Sequence, residues 1–204
     1  MSFTVCGLDE VGRGALAGPL MAVASLFSCQ LVDGFCWEMR DSPISGVMDS
    51  KKFTSPEKRR EVYHRILRHP LLLDFGIGEV SVEEINDIGI DKANDLAFRR
   101  AVMQLSPLPN FIIVDGKNPL YGWDIGSQRV VPKADDLYWP VGAASILAKV
   151  IRDNYMRELG ADYSQYQWAK NAGYGTKEHT EALLTYGSTP YHRKAFIKAF
   201  RRTV

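Results

Sequence analysis

Cysteine and histidine are scarce in this 204-residue chain, and their scarcity excludes the protein classes that depend on them. The three cysteines, Cys6, Cys29 and Cys36, are odd in number and lack the CxxC spacing of a metal site. We therefore expect free thiols in a reducing, cytoplasmic compartment. The four histidines, at positions 64, 69, 179 and 192, lie in predicted helices and turns, where a surface or packed role is expected rather than metal ligation.

Long hydrophobic runs are also missing. The apolar stretch 15–27 is interrupted by Gly18 and Pro19 and is too short to span a bilayer. No basic segment precedes it, as one would in a signal peptide. The sequence therefore predicts no membrane partner.

A large net charge is also missing. The formal charge is +1 and the pI is about 7.7, which is low for a protein dedicated to binding nucleic acid. Basic residues are nevertheless clustered, and a phosphate-binding face offset by an acidic centre would also give a neutral total. Solvated helix surfaces are the alternative explanation of each cluster. The clusters are Lys51, Lys52, Lys58, Arg59 and Arg60; Arg65 and Arg68; and Arg193, Lys194, Lys198, Arg201 and Arg202.

The chain does contain a regular alternation of β-like and helical segments, without repeats or low-complexity tracts. The alternation predicts an α/β core over 1–160 and a helical extension over 161–204 that packs on it, together one functional domain. Capping signals at 54–57 and 81–84 begin two of the helices. The predicted strands are 3–8, 20–27, 72–80, 111–114 and 129–131, and the predicted helices are 56–69, 84–103 and 140–159. Lys149, Arg152 and Asp153 are placed on the polar face of the last helix.

Residues 7–14, Gly-Leu-Asp-Glu-Val-Gly-Arg-Gly, are the most informative stretch. A β-like run ends in two adjacent carboxylates, Asp9 and Glu10, before a glycine-arginine-glycine turn. Neighbouring strand residues point to opposite faces. One carboxylate can therefore face a cleft while the other reaches it from a bulge or turn that Gly12 and Gly14 permit. A polar turn without further role is the alternative, but a turn alone rarely needs two glycines around an arginine.

Two further carboxylates, Asp115 and Asp135, follow β-like runs in the same way. The carboxyl ends of strands in an open α/β sheet form its binding crevice, so these acids are expected to converge with Asp9 and Glu10. Carboxylate oxygens favour hard cations, which predicts Mg²⁺ or Mn²⁺ rather than zinc. Four carboxylates suit two such ions acting on a phosphodiester.

In order and content these motifs resemble the type 2 ribonucleases H, the ribonuclease HII family. The matching segments are Asp9-Glu10-Val11-Gly12-Arg13-Gly14 with Gly18-Pro19, Asp49-Ser50-Lys51-Lys52, Val114-Asp115-Gly116, Lys133-Ala134-Asp135, 142–153, Gly173-Tyr174-Gly175-Thr176 and 192–196. The resemblance implies an RNase H-like fold, with a mixed central sheet flanked by helices and a C-terminal helical extension. It also implies an endonuclease, dependent on Mg²⁺ or Mn²⁺, that cuts the RNA strand of RNA/DNA hybrids. The same resemblance implies cleavage 5′ of single ribonucleotides embedded in DNA duplexes, leaving 3′-hydroxyl and 5′-phosphate ends.

The resemblance also implies roles for individual residues. Asp9, Glu10, Asp115 and Asp135 are the metal-binding catalytic set, and Asp136 is the neighbour that this register leaves out. The backbone of Gly12, Arg13 and Gly14 reads the ribose 2′-hydroxyl, which distinguishes RNA from DNA, and Tyr174 stacks on the neighbouring sugar. The residues implied to line the substrate path are Ser50, Lys51, Lys133, Ser145 and Lys149. Asp153 is expected to pair with a nearby basic residue.

Other interpretations share part of this pattern. A type 3 ribonuclease H would have the same acids but carries an extra N-terminal domain, and here the catalytic strand begins at residue 3. A junction resolvase would not explain the glycine-arginine-glycine turn together with Tyr174, and a hybrid-binding protein without activity would not need every acid. The chain is expected to act as a monomer. Residues 104–108 faintly resemble a sliding-clamp peptide, but they end an apolar helix, and core packing is the preferred interpretation.

Overall fold

The computed structural model describes residues 3–29, 39, 41–47 and 55–198. Two of the predicted substrate-binding residues, Ser50 and Lys51, therefore lie outside the described residues, and so do Cys36 and Thr54. The first helix is capped by the next residue instead, because the Ser55 side chain accepts a hydrogen bond from the Lys58 N–H.

Five strands form one mixed sheet in the order β3-β2-β1-β4-β5. The pairs β1–β2 and β2–β3 are antiparallel, whereas β1–β4 and β4–β5 are parallel. The strands are β1 (Phe3–Val11), β2 (Leu20–Cys29), β3 (Leu72–Val80), β4 (Phe111–Asp115) and β5 (Gln128–Val131). The predicted α/β class and mixed sheet are confirmed, and the carboxyl ends of the three parallel strands lie at one edge.

The helices are α1 (Pro56–Leu67), α2 (Val82–Ile88), α3 (Ile90–Val102), α4 (Trp139–Asp162), α5 (Trp168–Asn171) and α6 (Lys177–Tyr186). The capping box predicted at Ser81 and Glu84 is present. The single helix predicted to follow it is wrong, because the chain breaks into α2 and α3 at Gly89. Gly89 has φ 79° and ψ 161°, a backbone conformation that cannot continue a helix and that glycine adopts without a Cβ clash.

Helices cover both faces of the sheet, as the alternation of side chains along β1 requires. Val5 belongs to a core shared with α4 and α1, whereas Cys6 and Leu8 belong to a core shared with α3. Gly7 lies on the α4 side, where a Cβ would overlap the backbone of Pro140. The missing side chain therefore lets the first turn of α4 lie directly on β1.

The last third of the chain builds a third core cluster against the segment that follows β1. Trp168, Leu183 and Ile197 pack there with Ala17 and with Met156 of α4. The boundary at 160 between the core and a helical extension stays a prediction. Side chains from residues after 160 and from the segment around Ala17 share one apolar cluster. None of the helices that the structure describes is long and apolar enough to cross a bilayer.

Two arginines that the sequence placed on solvated surfaces are fully buried. Arg152 was expected on the polar face of α4 and Arg193 in a phosphate-binding cluster, and both expectations are wrong. The Arg152 guanidinium donates to the carbonyls of Ala17, Pro19 and Ala172. The Arg193 guanidinium donates to the carbonyls of Arg13 and Gly18, whereas its buried Nη2 has no hydrogen-bond partner among the described residues. Backbone oxygens therefore replace water around both cations, and burial lowers the pKa of each.

Candidate active site

The four predicted acids gather at the carboxyl edge of the parallel strands. Asp9 and Glu10 are the third- and second-last residues of β1, and Asp115 is the last residue of β4. Asp135 lies in the 3₁₀ turn 134–136 that follows β5. The charges of Glu10, Asp115 and Asp135 each act on Asp9, so the four carboxylates share one electrostatic environment.

Asp9 and Glu10 reach this edge from opposite faces of the sheet. Both keep regular antiparallel register with β2, where Asp9 pairs with Val23, so of the two expected possibilities, a bulge or a turn, this stretch contains no bulge. Ser145 of α4 is near enough to Asp9 for hydrogen bonding to lower its pKa, and Asn94 of α3 acts in the same way on Glu10. The two covering helices thus each hold one of the adjacent acids.

Burial and mutual repulsion disfavour the charged forms of both β1 acids. The pKa of Asp9 is raised well above its usual value, first by desolvation and then by the neighbouring carboxylates, against the hydrogen bond from Ser145. Desolvation also raises the pKa of Glu10, with Asp115 adding to it and Arg13 opposing it. The site concentrates negative charge where water cannot screen it.

The turn after β5 distinguishes Asp135 from Asp136. Asp135 is only 6% exposed, whereas Asp136 is exposed to solvent. The turn begins at Lys133, which has the left-handed backbone angles φ 60° and ψ 41°. The next N–H, of Ala134, donates to Asp115 Oδ1 at 2.9 Å, which ties the turn to the end of β4.

The acids are near one another, but their side chains do not form a ready ligand cage. In the described parts of the chain, no three Asp, Glu, His or Cys side chains are placed to hold one ion between them. The fit to a divalent cation therefore rests on the donors themselves. They are buried or half-buried carboxylate oxygens whose repulsion a hard cation would relieve.

The glycine-arginine-glycine turn lies beside the acids, and its two glycines differ. Gly12 has φ 87° and a Cβ there would overlap the Arg152 guanidinium. Gly14 is exposed, its φ lies outside the left-handed region, and a Cβ would meet nothing within 4 Å. Arg13 is exposed and pairs with Asp91 at 2.6 Å. Gly12 is therefore explained by packing within the fold, whereas nothing in the fold requires glycine at position 14.

Tyr174 contacts this turn directly. Its hydroxyl accepts a hydrogen bond from the Gly12 N–H at 3.2 Å. Its ring lies 5.7 Å from the Lys149 ammonium and 5.6 Å from the Arg152 guanidinium carbon, within the range of cation–π attraction. Two elements that are 162 residues apart in sequence thus meet beside the acid edge.

A cavity of about 240 Å³ opens beside two of the acids, Glu10 and Asp135. Ser145 and Lys149 both line it, as expected for residues one helical turn apart. Lys149 is paired with Asp153 at 2.7 Å, which confirms that Asp153 pairs with a basic residue. The cavity is lined by Glu10, Val11, Arg59, Asp135, Ser145, Ile146 and Lys149.

Sequence reasoning missed individual roles for Arg59 and Asn94. Arg59 was only a member of a basic cluster, yet it lines the cavity from α1. Asn94 bonds Glu10, and its Oδ1 has no hydrogen-bond partner although it is buried. No local signal marks either residue, because each reaches the site through the packing of a helix that is distant in sequence.

Comparison with solved structures defines the class. The crystal structure of ribonuclease H2 from Pyrococcus horikoshii OT3 matches with a TM-score of 0.73 and 25% identity, covering 98% of this chain and 100% of that chain. A Bst-RNase HIII structure in complex with Mn²⁺ matches with a TM-score of 0.66 and 21% identity, covering 90% of this chain and 61% of that chain. The fold is that of the ribonucleases H.

Sequence comparison identifies the family within that class. The family model for Ribonuclease HII matches residues 6–199. A ribonuclease HII of Wolbachia sp. subsp. Brugia malayi (strain TRS) is 41% identical over all of this chain and 92% of its own length. This chain therefore belongs to the ribonuclease HII family, whose members are endonucleases of the RNase H type that depend on divalent metal ions. The expected resemblance is confirmed.

Proposed function

We propose that this chain hydrolyses the RNA strand of RNA/DNA hybrids and also cuts on the 5′ side of single ribonucleotides embedded in DNA duplexes, leaving 3′-hydroxyl and 5′-phosphate ends. The observation that carries the proposal is the hydrogen bond between the Tyr174 hydroxyl and the Gly12 N–H. It joins the two elements implied to recognise the ribonucleotide and its neighbouring sugar, at the edge where the acids converge. Ribonucleotide removal from DNA is the role that this specificity serves.

The proposed cofactor is Mg²⁺ or Mn²⁺, with two ions in the catalytic complex. Asp9, Glu10, Asp115 and Asp135 would hold them, because all four supply carboxylate oxygens at one edge and the charge of Asp9 is opposed by the other three. Bound ions of this kind activate water and stabilise the leaving oxygen of a phosphodiester. Ser145 and Asn94 orient the two β1 carboxylates from either face of the sheet.

The exposed turn supplies the proposed donors to the ribose. The N–H groups of Arg13 and Gly14 make no hydrogen bond within the described chain, and both residues are exposed. A ribose 2′-hydroxyl can accept from such donors, whereas a deoxyribose leaves them unpaired. Glycine at position 14 removes the side chain that would separate the sugar from the backbone.

Two of the proposed phosphate contacts, Arg59 and Lys149, line the cavity beside Glu10 and Asp135. Lys149 would reach a phosphate only by sharing or leaving Asp153, whereas Arg59 lines the cavity without an assigned acidic partner among the described residues. Lys133 is exposed at the turn beside Asp135. Ser50 and Lys51 complete the proposed set. Such contacts position a duplex without reading its sequence.

Two features of the whole chain belong to this proposal. We propose that the extension 161–204 is part of the single functional domain, because it carries Tyr174, and that the enzyme acts as a monomer on its nucleic acid. Residues 104–108 do not support a sliding-clamp peptide. Gln104 bonds both backbone groups of Ile77 in β3, and Leu105 is buried.

The direct test uses a DNA duplex with one ribonucleotide and a 5′ label, incubated with Mg²⁺, Mn²⁺ or a chelator. We expect metal-dependent cleavage on the 5′ side of the ribonucleotide, with a 3′-hydroxyl that a polymerase extends. An all-DNA duplex of the same sequence is the matched control and should stay intact. Cleavage 3′ of the ribonucleotide, or undiminished cleavage in the chelator, would contradict the proposal.

A further inference from the structure

Two histidines that the proposed chemistry does not use are buried beside Tyr174. His179, in the first turn of α6, is fully buried, and His192 is 2% exposed. Their Nε2 atoms lie 3.1 Å apart, and the indole Nε1–H of Trp168 points at the same His179 Nε2, also at 3.1 Å. Three ring systems therefore share hydrogen bonds in the interior of the C-terminal cluster.

The partners of each ring nitrogen fix both tautomers. Trp168 can only donate, so His179 Nε2 is an acceptor and the His179 proton lies on Nδ1. His192 Nδ1 accepts from the backbone N–H of Thr189 at 2.9 Å, so its own proton lies on Nε2 and is donated to His179. Burial lowers the pKa of both imidazoles, that of His192 to about 4, which keeps the two rings neutral.

This arrangement leaves one donor for Tyr174. His179 Nδ1–H lies 2.9 Å from the Tyr174 carbonyl oxygen and donates to it, beside the Thr176 N–H, which donates to the same oxygen at 2.8 Å. The Tyr174 N–H is held by the Asn171 carbonyl at 2.9 Å, and the Tyr174 hydroxyl by Gly12 at 3.2 Å. The residue is thus fixed at its amide, its carbonyl and the end of its ring.

His192, the second histidine of the pair, lies against segment 16–18, which follows the glycine-arginine-glycine turn. His192 forms an isolated bridge with Ala17. On either side of it, the Gly18 N–H donates to Tyr191 and the Arg193 N–H donates to Leu16. A continuous hydrogen-bonded path therefore runs from Tyr174 through His179 and His192 to the strand-like segment that carries the turn.

We propose that His179 and His192, fixed by Trp168, are positioning residues that set Tyr174 against the glycine-arginine-glycine turn and thereby determine the preference for a ribonucleotide embedded in DNA. This inference rests on the proposed function. The pair touches no substrate, and it acts by holding the carbonyl of Tyr174 and the segment 16–18 at a fixed separation. The rest of the acid edge does not depend on it, because none of the four acids bonds either histidine among the contacts described.

Two substitutions of His179 distinguish the role of its Nδ1 donor from a general role of the side chain in packing. The amide of His179→Asn can place a donor near the Nδ1 position, so it keeps the bond to Tyr174 and loses the acceptor for Trp168. His179→Gln can place an acceptor near the Nε2 position, so it keeps the Trp168 and His192 bonds and loses the donor to Tyr174. His69→Gln, in the loop before β3, is the matched control: it replaces a half-buried histidine whose ring, among the described residues, bonds only the Leu71 N–H.

The readout is the ratio of kcat/KM on a duplex with one ribonucleotide to kcat/KM on a continuous hybrid of the same sequence. We expect His179→Gln to lower this ratio by about five- to tenfold, the size of one lost hydrogen bond. His179→Asn should change it by less than about threefold, within the range of a retained bond. His69→Gln should leave it unchanged. A purely structural role would instead lower activity on both substrates equally in both His179 variants, and that result would overturn the proposal.

A double-mutant cycle tests whether His179 acts through Tyr174. In a Tyr174→Ala background, His179→Gln should cause no further fall in the ratio, because the group that it positions is gone. An undiminished further fall would overturn the proposal.

A measurement without substrate keeps the inference separate from the proposed function. Spectra of ¹⁵N-labelled histidine in the wild type at neutral pH should show His179 protonated on Nδ1 and His192 on Nε2, and His179→Gln should shift the ring resonances of Tyr174. The opposite His179 tautomer would overturn the inference even if the enzyme cuts embedded ribonucleotides. A wild type that ignores embedded ribonucleotides but shows these tautomers and this shift would refute the proposed specificity and leave the positioning of Tyr174 supported.

Discussion

At the scale of single residues, Asp9 is a group that the proposed chemistry needs and that weakens the fold around it. It is buried, its neighbours carry the same charge, and its pKa is raised by both effects. Stability of the fold therefore does not explain why an aspartate occupies position 9. Residues of this kind are where function and folding free energy oppose each other.

The first prediction follows from that opposition. In a chelator, Asp9→Asn should raise the free energy of unfolding by about 1 kcal/mol, because it removes a buried charge while keeping the oxygen that accepts from the Glu10 N–H. Added Mn²⁺ should raise the melting temperature of the wild type and not of the variant, since only the wild type retains the complete ligand set. Thermal unfolding of both proteins, with and without Mn²⁺, measures this. A destabilised Asp9→Asn, or equal metal stabilisation of both proteins, would contradict it.

The second prediction separates the two glycines of the turn. Gly12→Ala should destabilise the protein by about 2 kcal/mol or more, because its left-handed backbone and the Arg152 guanidinium both exclude a Cβ. Gly14→Ala meets no atom of the protein, so its unfolding free energy should change by less than about 0.5 kcal/mol. Its KM for a ribonucleotide-containing duplex should nevertheless rise. Unfolding and steady-state cleavage of both variants decide this, and an unchanged KM for Gly14→Ala would remove that position from the binding surface.

At the scale of elements, the site depends on how closely α4 lies on β1. Gly7 makes the approach possible, and the Ser25 hydroxyl donates to the Pro140 carbonyl at 2.8 Å beside it. Ser145, which lies six residues after the first residue of α4, Trp139, is near enough to Asp9 for hydrogen bonding. The position of Asp9 is therefore coupled to the contact between Gly7 and Pro140, two residues earlier on β1.

Gly7→Ala is the element-scale prediction. The added Cβ overlaps backbone atoms of Pro140, which no side-chain rotation can relieve, so α4 must move away from β1. We expect a loss of about 2 kcal/mol or more in unfolding free energy and a fall in kcat at temperatures where the variant is folded. Gly126→Ala, which meets only the flexible carboxylate of Asp124, is the control and should be nearly neutral. Wild-type kcat in a folded Gly7→Ala variant would show that the acids do not depend on this contact.

The same elements show what the sequence could predict. β3 was predicted as 72–80 and is observed as Leu72–Val80, because its β-like run is bounded by clear turn and capping signals. The division of α2 from α3 was missed, because a single glycine inside a helical pattern is compatible with a continuous helix. Arg152 and Arg193 were misplaced because their partners are carbonyls far away in sequence. The acids were identifiable since each ends a strand, whereas Asn94 and Arg59 reach the cavity only through helix packing.

At the scale of the whole molecule, a formal charge of +1 conceals separate acidic and basic regions. The acids lie at one edge of the sheet, and α1 presents basic side chains beside them, including Arg59 in the cavity wall. A duplex bound there would release counterions in proportion to the phosphates contacted. Burial of Arg193 removes one member of the predicted basic surface.

Salt dependence is the prediction at this scale. Duplex affinity should fall steeply as ionic strength rises, and Arg59→Ala should reduce the slope of log affinity against log salt by about one. Arg157→Ala is the matched control, because Arg157 is exposed on α4 and bonds only Asn154, and it should leave the slope unchanged. Binding is measured in Ca²⁺ or chelator to prevent cleavage. An unchanged slope for Arg59→Ala would place this residue outside the interface.

The central claim is that four carboxylates at one edge of the sheet perform the reaction, and Asp135 and Asp136 test it most directly. They are adjacent and chemically identical, yet Asp135 is buried beside the other acids and Asp136 is exposed. With a single-ribonucleotide duplex and Mn²⁺, Asp135→Asn should lose at least about a thousandfold in kcat, because removing a metal ligand removes both water activation and charge stabilisation. Asp136→Asn should stay within about threefold of wild type, since its side chain is exposed and does not line the cavity. Comparable activity in the two variants, or the reverse order, would contradict the assignment of the site.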